Sequence, residues 1–230
     1  MRHALKISLA YFAAMFLAAV VGCQRGGDAN QPAAAVNGPA GAGGPASPAE
    51  PAPPKSDQDP SHPIVQVETT LGTFKIRLDA ERAAITVDNF LNYVAAKHYD
   101  DTIFHEIRSE YPKLILGGGY AANFTEKKGR TPIRNEAHNG LKNRRYTVAM
   151  AHQPDNEDSA TCHFFINLSD NTVLDYKDRT PQGYGYCVFG EVVEGVDIVD
   201  KIGQAPVHDV GKLERTPVET IAIKSIRRIK

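Results

Sequence analysis

The chain has 230 residues, of which 26 are Lys or Arg and 27 are Asp or Glu, so its formal net charge is -1. No basic patch stands out, and nucleic acid is therefore not an expected partner. About 165 residues follow position 62, which is enough for one domain with a hydrophobic core of its own.

The first 22 residues have the pattern of an export signal. A basic start precedes an uncharged run over residues 7–21, and these 15 residues are fewer than the roughly 20 that span a bilayer. The run therefore predicts a signal peptide over residues 1–22 rather than a membrane-spanning helix. It ends in Val20-Val21-Gly22-Cys23, which resembles a bacterial lipobox. We expect a lipid on Cys23 and a place in the bacterial cell envelope or periplasm; the alternative is an ordinary secretory signal with an incidental cysteine.

Residues 23–62 predict a disordered tether behind this cysteine. The segment contains more than half of the chain's 15 prolines, interspersed with Ala and Gly, and no aromatic residue. Such a composition buries too little apolar surface to offset the entropy of ordering. The prolines favour a semi-extended spacer that holds the domain off a membrane. A proline-rich ligand for another protein is the alternative interpretation.

The folded domain is expected over residues 63–230 and begins with a hairpin. Residues 64–69 and 73–78 alternate between apolar and polar side chains and are joined near Leu71-Gly72. Thr86 is the predicted N-cap of a helix, because an apolar stripe with helical spacing follows it up to Ala95.

The middle of the domain predicts short strands separated by loops. Residues 102–105 read as a strand, followed by an irregular stretch to Pro112 and an apolar run at 114–116 that ends in three glycines. Residues 123–143 and 153–159 are predicted loops, and residues 147–151 and 162–167 are predicted strands. Adjacent Phe164 and Phe165 would point to opposite faces of the second of these strands, because side chains alternate along a strand.

The C-terminal part predicts a strand at 188–193, a helix at 195–202 with Gly203 past its end, and a final strand at 221–226. Cys162 and Cys187 lie in predicted strands and read as small buried apolar residues; a disulfide between them is the alternative. Many short strands without a βαβ rhythm favour a mainly β fold, a closed antiparallel barrel. Histidines 98, 105, 138 and 152 lack the spacing of zinc ligands, so no metal is expected.

Six segments in this order resemble the cyclophilin family of peptidyl-prolyl cis-trans isomerases, and the bacterial branch in particular. They are Asn89-Phe90, Thr102-Ile103-Phe104-His105, Gly117-Gly118-Gly119, Asn135-Glu136-Ala137, His163-Phe164-Phe165-Ile166-Asn167 and Gly185-Tyr186-Cys187-Val188-Phe189-Gly190. The resemblance implies an eight-stranded antiparallel β-barrel capped by two α-helices, and an enzyme that acts on proline-containing polypeptides. No cofactor is expected, because isomerisation of an X-Pro bond breaks no bond, and a monomer is expected.

The resemblance also implies a set of residues that would bind the substrate's proline. Phe165 matches the pocket phenylalanine of the family, Leu114 matches a methionine, and Leu174 matches a leucine. Tyr186 stands where many members have His, and the backbone at Ala151 is where the family pairs with the extended peptide. Phe104, from the Phe-His pair, is assigned to the same site.

The side-chain donors of the family are missing at their usual positions. Glu106 directly follows Phe104-His105, where the family has its catalytic arginine, and Leu116 replaces a glutamine. Arg108 is the candidate substitute, because residues two apart on a strand share a face and Glu106 could orient its guanidinium; a solvated surface charge is the alternative. His163 is a second candidate donor, and a structural histidine is the alternative reading.

Two functions therefore stay open. One is an exported, lipid-anchored prolyl isomerase that assists the folding of proteins outside the cytoplasm. The other is a proline-peptide binding module or chaperone with little turnover, which the residues at 106 and 116 favour because neither side chain can donate a hydrogen bond to a carbonyl.

Overall fold

Two short strands open the fold, and their alternating side chains explain why they pair. The computed structural model describes residues 59–229. Strands β1 (Ile64–Thr69) and β2 (Gly72–Leu78) form the predicted hairpin, in which Val67 lies opposite Phe74. Both side chains point into the interior, where neither has more than 1% of its surface exposed.

Eight strands close into an antiparallel barrel, which confirms the predicted fold class. The remaining strands are β3 (Thr102–Arg108), β4 (Leu114–Ala121), β5 (Thr147–Met150), β6 (Phe164–Asn167), β7 (Val188–Glu194), β8 (Val207–Val210), β9 (Leu213–Pro217) and β10 (Ala222–Arg228). Their order around the barrel is β1-β10-β3-β4-β6-β5-β7-β2, while β8 and β9 form a separate hairpin. Closure leaves the barrel without free sheet edges.

Helix α1 (Ala84–Ala95) begins three residues earlier than expected, with Ala83 at the N-cap position, so the prediction of Thr86 as its N-cap is wrong. The first helical bond runs from Val87 N–H to Ala83 O. The helix end is instead capped from a distance: the Glu136 carboxylate accepts hydrogen bonds from Ile85 N–H, Thr86 N–H and the Thr86 hydroxyl at 3.1, 2.8 and 2.7 Å. Glu136, which lies in a loop about 50 positions away in sequence, thus accepts hydrogen bonds that an N-cap side chain would otherwise accept.

Other helix and strand boundaries also differ from those predicted. Strand β3 runs on to Arg108, beyond the predicted end at His105, and all three glycines lie inside β4. Helix α2 (Val196–Gly203) ends one residue later than predicted, so Gly203 is its last residue and Gln204 its C-cap. Within residues 59–229, no helix is long and apolar enough to cross a membrane.

The main core fills the barrel and the space beneath α1. Phe90 of α1 packs on Tyr99, Phe164 and Phe189 with ring centroids 5.2–5.6 Å apart. Cys162 and Cys187 are buried free thiols, as predicted, and burial raises their pKa values to about 11 and about 12. Neither thiol is therefore ionised at neutral pH, which fits a packing role.

The start of the domain makes contacts with the barrel from residue 61 onward, where Ser61 O accepts from Ala80 N–H at 2.8 Å. The predicted signal peptide over 1–22, the lipid at Cys23 and the tether up to residue 58 lie outside the described residues.

Candidate active site

A second apolar cluster lies on the outer face of the barrel wall, apart from the main core. Its buried members are Leu114, Leu116, Ala149, Ala151, Phe165, Leu174 and Val188. Pairing in the sheet builds it, because Leu116 lies opposite Phe165 and Phe165 opposite Ala149 on three neighbouring strands. Five of the six residues predicted to bind substrate meet here: Leu114, Ala151, Phe165 and Leu174 as buried members, and Tyr186 packed against them.

The adjacent phenylalanines point to opposite faces, as the strand reading predicted. Phe164 belongs to the barrel core and Phe165 to the outer cluster. The alternation of side chains along β6 is the direct cause. One strand therefore supplies both the interior packing and the candidate proline seat.

Three partly exposed side chains, Leu141, Val173 and Tyr186, pack against the outer cluster. The Tyr186 ring meets Phe165 edge-on at 5.6 Å between centroids and stacks on His152 at 4.3 Å. Phe165 itself has 0% of its surface exposed. Tyr186 is therefore one of the side chains that shield Phe165 from solvent.

The structure separates Phe104 from the other predicted binding residues. Its side chain is fully buried in the barrel core and packs edge-on against Phe164 at 6.4 Å. It also occupies the space beside Gly117, where an added Cβ would lie 2.7 Å from the Phe104 Cδ1 atom. Phe104 supports the strands of the site from beneath and presents no surface to a ligand.

Ala151 lies at the edge of the cluster, and its backbone is already partly used. Its N–H donates to His163 O at 3.0 Å, so this amide contributes to the fold. A peptide that pairs at this position would need another backbone group.

Glu106 and Arg108 leave the same face of β3, as predicted from their spacing. The Arg108 Nε–H donates to Glu106 Oε1 at 2.7 Å, and the side chains are only 15% and 12% exposed. Glu106 lies opposite Leu116, and Arg108 lies opposite Leu114. The ion pair therefore borders the apolar cluster along its β3 side.

The Arg108 charge is close enough to affect Tyr186. Burial raises the pKa of the Tyr186 hydroxyl well above its usual value, and the neighbouring Arg108 guanidinium partly opposes this shift. Tyr186 in turn packs edge-on against Phe165, so this electrostatic effect agrees with the position of Arg108 at the border of the cluster. The catalytic role of Arg108 stays a prediction.

His163 faces a different neighbourhood. Its ring fills the space over Gly119, where an added Cβ would lie 1.9 Å from His163 Cε1, so only glycine fits there. It packs edge-on against His105 at 5.4 Å and against Tyr120 at 5.7 Å, and its Nε2 lies 3.8 Å from Glu126 Oε1. These contacts lie on the β4 side, and the donor role of His163 stays a prediction.

Arg215 is the site residue that sequence reasoning missed. It belongs to the β8–β9 hairpin, and its Nη2 donates to the same Glu106 Oε1 atom at 2.7 Å. A two-residue turn at Gly211-Lys212, with Gly211 at φ +62°, could have indicated the hairpin. Nothing in the sequence indicates its long-range contact with β3.

Another cleft, of about 590 Å³, opens on the β2–β7–β5 side of the barrel and meets the outer cluster only at Leu141 and Val188. Nearly half of its lining residues are charged: Arg77, Arg82, Lys142, Arg144, Asp79 and Glu191. Such a polar cleft does not suit an apolar pyrrolidine ring, so the outer cluster remains the candidate site.

Comparison with known proteins agrees with this architecture. Residues 64–228 match the family described as cyclophilin-type peptidyl-prolyl cis-trans isomerase/CLD. A peptidyl-prolyl cis-trans isomerase of Streptomyces antibioticus is 43% identical over 163 residues, covering 71% of this chain and 96% of the relative. Peptidyl-prolyl cis-trans isomerase B of Escherichia coli is 41% identical over 163 residues, covering 71% and 98%.

Solved structures share the fold. A cyclophilin-type isomerase of Cryptosporidium parvum matches with a TM-score of 0.60 at 24% identity, covering 74% of this chain and 98% of that one. The same kind of protein, crystallised in the presence of the dipeptide Ala-Pro, matches with a TM-score of 0.59 at 25% identity, covering 73% and 99%. With the family matched over most of the chain and bacterial relatives above 40% identity, this chain belongs to the cyclophilin-type peptidyl-prolyl cis-trans isomerases.

Proposed function

We propose that this isomerase works outside the cytoplasm, held at a membrane by a lipid on Cys23, where it isomerises X-Pro bonds in exported proteins as they fold. The export pattern of residues 1–22, the lipobox-like Val20-Val21-Gly22-Cys23 and the proline-rich segment behind it support the location. A semi-extended spacer of this length would let the barrel reach unfolded segments away from the bilayer.

The observation that carries the activity is the apolar cluster around Phe165 with a cation at its edge. Rotation about an X-Pro bond must cross a barrier of about 18–20 kcal/mol, and no bond is broken. A catalyst needs only a dry seat for the proline ring and a donor that favours the twisted amide. Phe165, Leu114 and Leu174 provide the seat, and Arg108 is the candidate donor beside it.

A protease-coupled assay on a short X-Pro peptide tests the activity. The full-length chain should accelerate isomerisation, and Phe165→Ala should lower kcat/KM strongly because it removes the floor of the seat. Val218→Ala is the matched control, since it truncates an apolar side chain that is 53% exposed on the surface. A Phe165→Ala variant as active as the wild type would refute the site.

The second candidate is a proline-peptide binding module with little turnover. Glu106 and Leu116 favour it, because they stand where the resemblance implies donors. Saturable binding of the X-Pro peptide without any rate acceleration would support this candidate and exclude the enzyme.

The location has its own test. Cys23→Ala should move the exported protein from the membrane fraction to the soluble fraction, with the barrel and its activity unchanged. A wild-type protein that is already soluble after export would refute the anchor.

A further inference from the structure

The pair of Glu106 and Arg108 creates an electrostatic difficulty for catalysis. The carboxylate lies 2.7 Å from the Arg108 Nε atom and is only 12% exposed, so it largely cancels the charge of that guanidinium. Stabilisation of a carbonyl oxygen depends on donors and positive charge aimed at it in a site shielded from water. A neutral pair would do this less well than an arginine alone.

Arg215 supplies a second cation to the same oxygen. Its Nη2 atom lies 2.7 Å from Glu106 Oε1, the atom that also accepts from Arg108. Two guanidinium groups and one carboxylate leave a net charge of about +1 at the edge of the apolar cluster. The other partner of Arg215, Glu214, is 64% exposed at 3.1 Å, so solvent screens most of its opposing charge.

The backbone holds Arg215 in place for this contact. Its φ of +52° lies in the left-handed region, which residues other than glycine adopt uncommonly. Its N–H donates to Asp209 Oδ1 at 3.0 Å, and the hydroxyl of the next residue, Thr216, donates to His105 O at 2.9 Å. The hairpin is thus fastened to β3 one residue away from Glu106, and backbone strain of this kind gathers at functional positions.

We propose that Arg215 is a positioning residue for the isomerase reaction: acting through Glu106, it restores positive charge at the site and fixes the Arg108 guanidinium beside Phe165. Arg215 reaches Glu106 and is not required to touch the substrate. The proposal rests on the proposed function, because it assumes that Arg108 acts on a bound X-Pro segment.

A double-mutant cycle on the full-length chain tests the proposal. R215Q should lower kcat/KM by roughly 5- to 20-fold, less than the 10²–10³ lost when a direct donor is removed. The loss should fall on kcat, with KM within about twofold of the wild type, because the apolar seat is untouched. R215K keeps the charge and should recover at least half of the activity. In an E106Q background, R215Q should change kcat/KM by less than about twofold, since the linking carboxylate is gone.

K212Q is the matched control, because it removes an exposed cation from the turn of the same hairpin and should leave activity unchanged. R215Q within twofold of the wild type, or an equal loss in both backgrounds, would overturn the proposal. If R215Q unfolds at the assay temperature, R215K decides: a loss as large as tenfold in that folded variant would overturn the role of charge. A wild-type chain with no activity would overturn the proposed function together with this inference, whereas an active wild type indifferent to R215Q would overturn the inference alone.

Discussion

Replacement of Arg108 by alanine separates a catalytic arginine from a structural one. Removing one preorganised donor from an active site costs about 2.7–4 kcal/mol of transition-state stabilisation, or roughly 10²–10³ in rate. Arg108 is the candidate donor at the edge of the apolar cluster around Phe165, where it is hydrogen-bonded to Glu106. We therefore expect Arg108→Ala to lower kcat/KM by at least about 100-fold.

The effect on stability should be much smaller, for a reason visible in the contacts. When Arg108 is removed, Glu106 keeps its 2.7 Å hydrogen bond from Arg215 and is not left as an unpaired buried charge. One partly exposed, charge-assisted hydrogen bond is lost, which is worth about 1 kcal/mol after screening. For a domain of this size, that lowers the melting temperature by about 2–4 °C.

The assay is protease-coupled isomerisation of a short X-Pro peptide, with thermal unfolding followed on the same samples. Arg144→Ala is the control, because it removes an exposed arginine that lines the charged cleft. An Arg108→Ala variant that keeps more than a third of the wild-type kcat/KM would refute the assignment. A variant that loses activity only in proportion to unfolding would refute it as well.

Two further predictions concern stability. Glu136→Ala should lower the free energy of unfolding by about 1–2 kcal/mol, because three donors at the start of α1 lose their acceptor. Glu219→Ala on the surface is the control and should have no effect. Equal denaturation midpoints for the two variants would contradict the capping role of Glu136. Burial, with a smaller contribution from His163, lowers the pKa of His105 well below its usual value, so protonation of this ring is less favourable in the folded state than in the unfolded chain. Stability should therefore fall as pH drops below about 6.5, and His105→Gln should flatten the profile while exposed His208→Gln should not.

Local sequence patterns were sufficient to predict several strands of the barrel wall and the faces on which their side chains lie. Alternation in residues 64–78 predicted the β1–β2 hairpin, and adjacency alone predicted that Phe164 and Phe165 would point to opposite faces. The same rule placed Glu106 and Arg108 on one face and led to their ion pair. These properties follow from the geometry of a single strand, so no tertiary information is needed.

Contacts between distant segments set the features that sequence reasoning missed. Thr86 resembles an N-cap residue, but the carboxylate of Glu136 satisfies the helix end instead and lets α1 start at Ala84. Arg215 reaches Glu106 across 109 positions of sequence. Local propensity carries no information on such partners, because they depend on how the barrel closes.

The burial of Phe165 beside Tyr186 also depends on contacts between distant segments. The resemblance placed Tyr186 in the site, but its edge-on contact with Phe165 and its stacking on His152 depend on how the loop before β7 packs. The residues that would bind proline therefore stay a prediction, whereas their packing against one another could be learned only from the folded chain.

The register of β3 and β4 shows what the missing arginine at position 106 means for the substrate. Glu106 lies opposite Leu116 and Arg108 opposite Leu114, so the arginine stands one same-face step along the strand, about 7 Å between the two backbone positions. An apolar leucine and a carboxylate now occupy the position where the resemblance implies two donors. The Arg108 guanidinium therefore carries its positive charge back beside position 106, where the Glu106 carboxylate accepts its hydrogen bond. One network of hydrogen bonds joins Arg108, Glu106 and Arg215. Substitution of any one of these residues should therefore alter the contribution of the other two to catalysis.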